Sequence, residues 1–317
     1  SKHFKQHGFS FASNELVINN GCLDSIKIAL EITTKPGDSV AVSSPCFNGL
    51  LAMLAMMKRA VVEIPSSADG VDLAQVESLM ADNQISACLF TANHQNPQGT
   101  SFPLVQKQAL ASLSNRLNVP IIEDDVYQEL HFAQTMPLPI KSFDKTGSVI
   151  WCSSISKTLA SGYRLGWALP GKFLAEFIQH RTVQSLGVNV PLQLSIAEFI
   201  DKNYYQRHLK KLRTHLAKQM VQYRQLLTQE LNELANVHIS QPTGGLALWI
   251  HVEGLNAEAL ATQASEYAIA FRVGNLFSTR GLYNQYFRIN VGYPLTDELA
   301  KQLRQVCHLV KEQLLSA

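Results

Sequence analysis

Short apolar runs alternate with helical patterns along the first part of the chain. Residues 15–19, 39–42, 87–90 and 119–122 have the length and apolar content of buried strands, and a pattern of helical period separates each run from the next. This alternation is typical of a parallel sheet that helices cover on both faces. We therefore predict an α/β fold with a mostly parallel sheet sandwiched by helices.

The pattern changes in the second part of the chain. Residues 191 to about 234 have one long helical period, which we interpret as a single connector helix. Strand-like runs follow at 237–239, 245–250 and 286–291, with helical patterns from about Ala257 and from Asp297. We predict a large α/β domain over 12–205 and a connector helix with a small C-terminal α+β domain over 206–317. Residues 1–11 are then a residual N-terminal segment.

Residues that could take part in binding or catalysis follow the predicted strands of the large domain. They occupy five segments, namely 20–22, 45–47, 93–99, 123–127 and 154–157. Because ligands of such sheets bind outside the carboxyl ends of the strands, we expect these segments to meet at one rim.

Composition narrows the class of protein. With 317 residues, 46% of them hydrophobic, the chain can bury a full core, and a formal charge of +2 provides no strong electrostatic footprint for nucleic acid. The five cysteines have no paired spacing, which favours a reduced, cytoplasmic setting. No apolar run approaches the roughly 20 residues that span a bilayer, so we expect a soluble protein.

Lys157 has unusual neighbours. It lies in the segment 153–158, where hydroxyl side chains surround it, and it follows the strand-like residues 149–152. A lysine amine forms imines when its surroundings favour the neutral form. A reactive amine and an ordinary structural lysine are both compatible with the segment.

An anion site is indicated beside this lysine. Ser154, Ser156 and Arg164 supply hydroxyl and guanidinium donors that suit a phosphate. Gly21, Cys22 and Leu23 open a predicted helix, whose free amides are able to bind the same phosphate. The alternative for these three residues is an ordinary turn between strand and helix.

Two further rim segments allow more than one interpretation. Asp124 lies between two other acidic residues just after a predicted strand, where a solvated acidic turn or a metal site would also be consistent, although no second ligand set is spaced for a metal. Asn96 precedes Pro97 and Gly99, so it is either a polar ligand or simply part of a turn.

Taken in order along the chain, these motifs resemble the fold-type I, pyridoxal-phosphate-dependent aminotransferases of class I/II. Within that family the chain is most similar to the aminotransferase-like domain of MocR-type GntR transcription regulators. The second similarity is carried by residues 122–127, 152–160, 162–167 and 205–213.

The resemblance assigns roles around a pyridoxal 5'-phosphate cofactor. Lys157 would form the internal aldimine and move the proton, and Asp124 would face the pyridine nitrogen and keep it protonated. Tyr127 and Asn96 would donate to the phenolic oxygen of the cofactor, and Phe47 would stack on its ring.

The resemblance also assigns the two anion sites. The phosphate would be bound by a set of amides, hydroxyls and one guanidinium, from Gly21, Cys22, Leu23, Ser154, Ser156 and Arg164. Arg288 would bind the α-carboxylate of an amino acid substrate in a bidentate pair.

The resemblance implies a function as well. It predicts an effector-sensing and dimerisation domain that exchanges its aldimine with an amino acid or amine, in a homodimer that reaches DNA only through a winged helix-turn-helix expected upstream. A free-standing aminotransferase that acts on an amino acid and a 2-oxo acid is the alternative.

Two other patterns have competing interpretations. Residues 154–157 also fit the Ser-x-x-Lys of penicillin-recognising serine hydrolases, although the Lys-Thr-Gly at 145–147 precedes this motif instead of following it. The basic stretch 208–213 is interpreted as a solvated or subunit-facing helix surface, with DNA contact as the alternative.

Overall fold

A computed structural model describes residues 1–315 of the chain. Its larger sheet has eight strands in the order β1-β8-β7-β6-β5-β2-β3-β4. Their bounds are β1 Val17–Asn19, β2 Ser39–Ser44, β3 Ala60–Ser67, β4 Gly70–Val71, β5 Ala87–Phe90, β6 Ile121–Asp124, β7 Val149–Ser154 and β8 Gly166–Leu169. The strands from β3 to β7 in the sheet order are parallel, whereas β8 is antiparallel to both of its neighbours and β4 is antiparallel to β3. The predicted fold class is confirmed.

Ten α-helices accompany the strands within residues 1–315. Their bounds are α1 Lys2–Lys5, α2 Cys22–Thr33, α3 Asn48–Met56, α4 Leu73–Ala81, α5 Leu104–Leu117, α6 Leu174–Gln184, α7 Val190–Asp201, α8 Tyr204–Glu230, α9 Ala257–Ser265 and α10 Asp297–Leu315. None of these helices is both long and apolar enough to span a membrane.

The central positions of the parallel strands are mostly apolar because helices cover both faces of the large sheet. Val40 and Val42 of β2 pack in a cluster with residues of α2 and α3, while Ala41 between them packs in a second cluster with residues of α4 and α5. Successive side chains of a strand point to opposite faces, so a sheet with two covered faces has apolar residues at successive positions in its interior.

The smaller sheet is antiparallel and has the order β11-β12-β10-β9. Its strands are β9 Val237–Ile239, β10 Ala247–Val252, β11 Arg272–Val273 and β12 Tyr286–Asn290. One face packs in a common core with α8, α9 and α10. The predicted boundary between 205 and 206 falls just inside α8, and the last two residues of the predicted small domain lie outside the described residues, so that division of domains stays a prediction.

The prediction of a single connector helix is wrong. Residues 191 to 234 form most of α7 and all of α8, and the break comes at Asn203, which has a left-handed φ of 58°. Asparagine tolerates this conformation better than most residues, and a left-handed residue ends a helix. The apolar period continues through the break because both helices pack on the large domain, with Ile196 and Tyr205 buried.

The basic stretch at the start of α8 is partly turned inward. The ring Nε2 of His208 hydrogen-bonds the carbonyl oxygen of Thr158 at 2.6 Å, and Arg213 Nη1 donates to the carbonyl oxygen of Glu129 at 3.4 Å. Lys210 and Lys211 are exposed, as a solvated helix surface requires, whereas His208 and Arg213 contact other parts of the same chain.

Five strands of the large sheet end at the same edge. Strands β2, β5, β6 and β7 are parallel, and β1 runs in the same direction because it is antiparallel to β8, which is antiparallel to β7. The segments that follow these five strands therefore meet at one rim, as the sequence predicts.

Candidate functional site

Asp124 is the last residue of β6, and its carboxylate is buried. The Sγ of Cys22, in the first turn of α2, donates to Asp124 Oδ1 at 3.3 Å. Burial raises the pKa of Asp124 to about 6, although hydrogen bonds from the Cys22 thiol and the Val126 amide and the charge of Lys157 oppose that rise. A carboxylate with so few donors is suited to a cationic partner.

The other two acidic residues of the triplet have structural partners. Glu123 accepts hydrogen bonds from the amides of Ile140 at 2.7 Å and Lys141 at 3.1 Å. All three carboxylates of residues 123–125 are buried, so the interpretation as a solvated acidic turn is wrong. Within residues 1–315 no group of three or more His, Cys, Asp and Glu is arranged to hold a metal ion.

Asp125 is held by groups that the sequence analysis missed. Trp151 Nε1 donates to Asp125 Oδ2 at 2.8 Å, and Asn93 Nδ2 donates to Asp125 Oδ1 at 2.9 Å. Lys107 Nζ in turn donates to Asn93 and to the carbonyl oxygen of Leu138 at 2.9 Å. Lys107 is buried, yet nothing in the sequence distinguishes it from a surface lysine of an amphipathic helix. This network holds the end of β6 rigid.

Lys157 lies on the turn after β7 and its side chain is exposed. The buried residues Ile155 and Thr158 anchor the turn on either side. Lys157 Nζ is 6.0 Å from the centroid of the Tyr127 ring, and its charge contributes to the pKa of Asp124. The amine is therefore free to react and close to the carboxylate that the sequence assigns to the ring nitrogen.

Tyr127 and Asn96 interact with each other at the rim. Burial and the charge of Asp124 raise the pKa of Tyr127 to about 12, although the charge of Arg288 and a hydrogen bond from the Asn96 side chain act in the opposite direction. The Oδ1 atom of Asn96 is buried and has no hydrogen-bond partner. Asn96 thus forms part of the turn and also directs its amide at Tyr127, so the two interpretations are compatible.

The start of α2 and the turn before β8 form an anion cradle. Gly21, with φ 107°, precedes α2 and offers no side chain to cap it, so the amides of the first helical turn remain available. Arg164 Nη2 donates to the carbonyl oxygen of Asn20 at 2.9 Å. A Cβ atom at position 21 would lie 2.6 Å from that Nη2 atom, so the contact requires glycine.

Two serines lie at the end of the neighbouring strand. Ser154 is buried at the end of β7, and the amide of Ser156 donates to its Oγ at 3.3 Å. Beside the free amides of α2 and the Arg164 guanidinium, their hydroxyls complete a set of donors suited to a phosphate.

The small sheet contributes Arg288 to the site. Its Nε atom is buried without a hydrogen-bond partner, and burial lowers the pKa of the guanidinium, with a further lowering by Arg272 and an opposing effect of Tyr127. On the large domain, the partly buried Phe47 ring packs closely over Gly49, where a Cβ would lie 2.5 Å from its Cε1.

A buried carboxylate that the sequence analysis missed joins the large sheet to the segment between β11 and β12. Glu63 of β3 accepts hydrogen bonds from Ser44 Oγ at 2.7 Å, Ser278 Oγ at 2.8 Å and Thr279 N at 2.6 Å. Burial alone would raise the pKa of Glu63, but these donors lower it. No spacing pattern reveals this cluster, because its members are far apart in sequence.

The site fits an elongated ligand with different chemistry at its two ends. An anionic end would be bound by the cradle at α2 and Arg164, and a protonated ring nitrogen would face the buried Asp124. Asn96 Oδ1 and Arg288 Nε are buried without hydrogen-bond partners, and both residues act on the pKa of Tyr127 at the rim. This donor set is what pyridoxal phosphate with a bound amino acid requires.

Comparison with known proteins agrees with this geometry. The family model for aminotransferase class I and II matches residues 1–306. Two relatives are uncharacterized helix-turn-helix-type transcriptional regulators of Escherichia coli, YdcR and YjiR. The first is 32% identical over 316 residues, which cover 99% of this chain and 67% of that protein, and the second is 33% identical over 302 residues, which cover 94% and 64%. The chain thus spans about two thirds of the length of these relatives.

Solved structures of aminotransferases have the same fold. The multiple substrate aminotransferase of Thermococcus profundus superimposes with a TM-score of 0.88 at 21% identity, over 99% of this chain and 79% of that one. The kynurenine aminotransferase of Pyrococcus horikoshii, solved in complex with PMP, gives a TM-score of 0.88 at 22% identity, over 98% and 78%. These similarities concern the fold, and the family match leaves the serine hydrolase alternative without support.

Proposed function

The chain belongs to the aminotransferase class I and II family, and we propose that it is the effector-sensing and dimerisation domain of a GntR/MocR-type transcription regulator. In this proposal it binds pyridoxal 5'-phosphate on Lys157 and responds to an amino acid or amine. The similarity to two helix-turn-helix-type regulators over nearly the whole chain supports the regulator. The third of their length that this chain does not span leaves room for a DNA-binding domain.

The observation that carries the cofactor assignment is the meeting of Asp124, Lys157 and Tyr127 at the rim. When bound, pyridoxal phosphate supplies an aldehyde that condenses with amines and a pyridine ring that accepts electrons. Lys157 Nζ would bind the aldehyde carbon and carry a proton to and from the ligand. The buried Asp124 carboxylate would hold the proton on the ring nitrogen, since few other donors compensate its charge.

The other residues would bind and orient the two ligands. Asn96 and Tyr127 would donate to the phenolic oxygen of the ring, and Phe47 would cover one ring face. The amides after Gly21, with Ser154, Ser156 and Arg164, would bind the phosphate. Arg288, whose guanidinium is partly desolvated, would bind the carboxylate of an amino acid.

A chain of hydrogen bonds supports a sensor function. Tyr205 Oη donates to Glu129 Oε2 at 2.7 Å, and it lies 2.9 Å from Oγ1 of Thr158, the residue next to Lys157. Glu129 also contacts the His3 ring of α1. A change at Lys157 would thus reach α8 and the first residues of the chain, through buried groups that tolerate few alternative arrangements.

A free-standing aminotransferase is the second candidate. It is favoured by a relative from Saccharolobus solfataricus, an uncharacterized aminotransferase that is 26% identical over 304 residues, covering 93% of this chain and 75% of that protein. The two candidates share one site and differ in turnover. A spectral titration with a panel of amino acids would separate them, because a 2-oxo acid accumulates only with turnover.

Modification of Lys157 tests the cofactor site. We expect the protein loaded with pyridoxal phosphate to absorb visible light, and borohydride reduction to fix the cofactor on Lys157. Lys157→Ala should lose this covalent adduct, whereas Lys145→Ala, a change of an exposed lysine on the loop before β7, should retain it. Mass spectrometry of the reduced peptides measures the result, and an adduct on any other lysine would contradict the assignment.

A further inference from the structure

Two arginines lie side by side on the small sheet. In β12, Phe287 and Ile289 are buried in the core with α8, α9 and α10, so Arg288 between them points to the opposite face, which faces the rim. The antiparallel register pairs Arg272 of β11 directly with Arg288. Arg272 is therefore on the same face as Arg288.

This pairing places two positive charges together. Side chains directly opposite each other in an antiparallel pair have Cβ atoms about 4.5 to 5.5 Å apart, and like charges at that distance destabilise the pair. The charge of Arg272 contributes to the lowered pKa of Arg288. A sheet with two such residues in register gains stability once anions bind between them.

No carboxylate of residues 1–315 forms an ion pair with either arginine. The Nε atom of Arg288 is buried and lacks a hydrogen-bond partner. Arg272, at the edge of the sheet, is exposed to an approaching ligand. One carboxylate is satisfied by one guanidinium in a bidentate pair, so the α-carboxylate expected at Arg288 leaves the second guanidinium without an anion.

We propose that Arg272 binds a second carboxylate, so that the amino ligand of this site is an acidic amino acid. This inference rests on the proposed function, since it takes Arg288 as the group that binds the α-carboxylate. On the other side of Arg288, Trp249 of β10 is its direct partner in the sheet. The side chain of the ligand therefore extends from Arg288 toward the cationic edge at Arg272 and away from the aromatic wall at Trp249.

Matched pairs of amino acids test the proposal on the cofactor-loaded protein. Glutamate and glutamine, and aspartate and asparagine, differ only in the second acidic group. In a spectral titration, Arg272→Gln should raise the concentration of glutamate or aspartate at half-saturation by about 10- to 100-fold. It should change the corresponding concentration of glutamine or asparagine by less than about 2-fold. Arg116→Gln removes an exposed arginine of α5 far from the site and should leave all four values unchanged.

Two outcomes would overturn the inference. Equally weakened binding of the acidic and the amide ligands in Arg272→Gln would mean that Arg272 acts on the α-carboxylate. A wild-type protein that does not prefer the acidic ligands would also contradict the inference.

Calorimetry with glutarate, which has no amine to react, separates this inference from the proposed function. If no amino acid changes the spectrum, the proposed function fails. Loss of glutarate binding in Arg272→Gln alone would then still support the second carboxylate site, and unchanged binding would refute it.

Discussion

A carboxylate loses its hydration when a protein buries it, and Asp124 is buried with a thiol and one backbone amide as its hydrogen-bond donors. Cys22 is a weak donor, and the positive charge of Lys157 reaches Asp124 without a direct ion pair. The neighbouring carboxylate of Asp125 has stronger donors, from Trp151 and Asn93. The negative charge of Asp124 is thus only partly compensated, and a protonated ring nitrogen would compensate it.

The raised pKa of Asp124 makes a prediction about stability. Because its folded-state pKa of about 6 exceeds the unfolded value, ionised Asp124 destabilises the cofactor-free protein above pH 6, and this penalty shrinks as the pH falls. Asp124→Asn should therefore raise the free energy of unfolding by about 1 to 3 kcal/mol at pH 7.5, and by about half as much at pH 5. Urea denaturation at both pH values measures the effect.

The matched control for this experiment is Asp69→Asn, which changes an exposed aspartate on the turn between β3 and β4. It should leave the free energy of unfolding almost unchanged at both pH values. A loss of stability in Asp124→Asn at both pH values would mean that the carboxylate stabilises the fold, which contradicts our account of its burial.

The start of α2 combines several requirements in one turn. The helix begins directly after β1, and the glycine before it leaves the first amides uncapped while allowing Arg164 to reach the carbonyl of Asn20. Gly166 of β8 is equally constrained, because a Cβ there would lie 2.5 Å from the carbonyl carbon of Gly21. The backbones of β8 and of the start of α2 are in direct contact, and the turn that carries Arg164 lies beside them. Hydrogen-bond donors from all three are therefore close together.

Gly21→Ala tests the cradle at the start of α2. The added Cβ should displace Arg164, so we expect pyridoxal phosphate to bind about 10-fold more weakly while pyridoxal, which lacks the phosphate, is affected less. Gly162→Ala is the control, because a Cβ at that position meets nothing within 4 Å. Equilibrium dialysis of both compounds gives the two affinities. Equal weakening of both by Gly21→Ala would show that the change disturbs the fold instead of the phosphate site.

The whole molecule exposes an apolar surface on α6, α7 and the loop between them. Val183, Leu186 and Leu194 are 81%, 93% and 67% exposed. Exposed apolar side chains this close in sequence are candidates for a binding surface, and a second copy of the chain is the partner that the predicted homodimer requires. Burying this surface would also fix the orientation of the two copies relative to each other. A sensor that signals by a change in that orientation needs such an interface.

Charged substitutions on this surface test the homodimer. The double variant Leu186→Asp and Leu194→Asp should raise the dissociation constant of the dimer at least about 100-fold. Each substitution removes apolar surface that the interface would bury and puts a charge in its place. Val105→Asp, at a valine of α5 that is 72% exposed, should leave association unchanged. Sedimentation equilibrium measures both variants, and a double variant that associates like the wild type would place the interface elsewhere.

The sequence by itself determined the fold class, the rim and most of the proposed site. Apolar runs and helical periods report which faces are buried, and the parallel strands bring their ends to one edge, so the segments around Asp124 and Lys157 could be located from local pattern. The break at Asn203 was missed because the apolar period continues across it.

Only the tertiary structure decided which charges meet and what surrounds them. The pairing of Arg272 with Arg288 follows from the register of two strands. The cluster around Glu63 joins residues more than two hundred positions apart. Likewise, the pKa of Asp124 depends on burial by several elements. Register, burial and long-range hydrogen bonds arise from packing between elements, and local sequence patterns do not encode them.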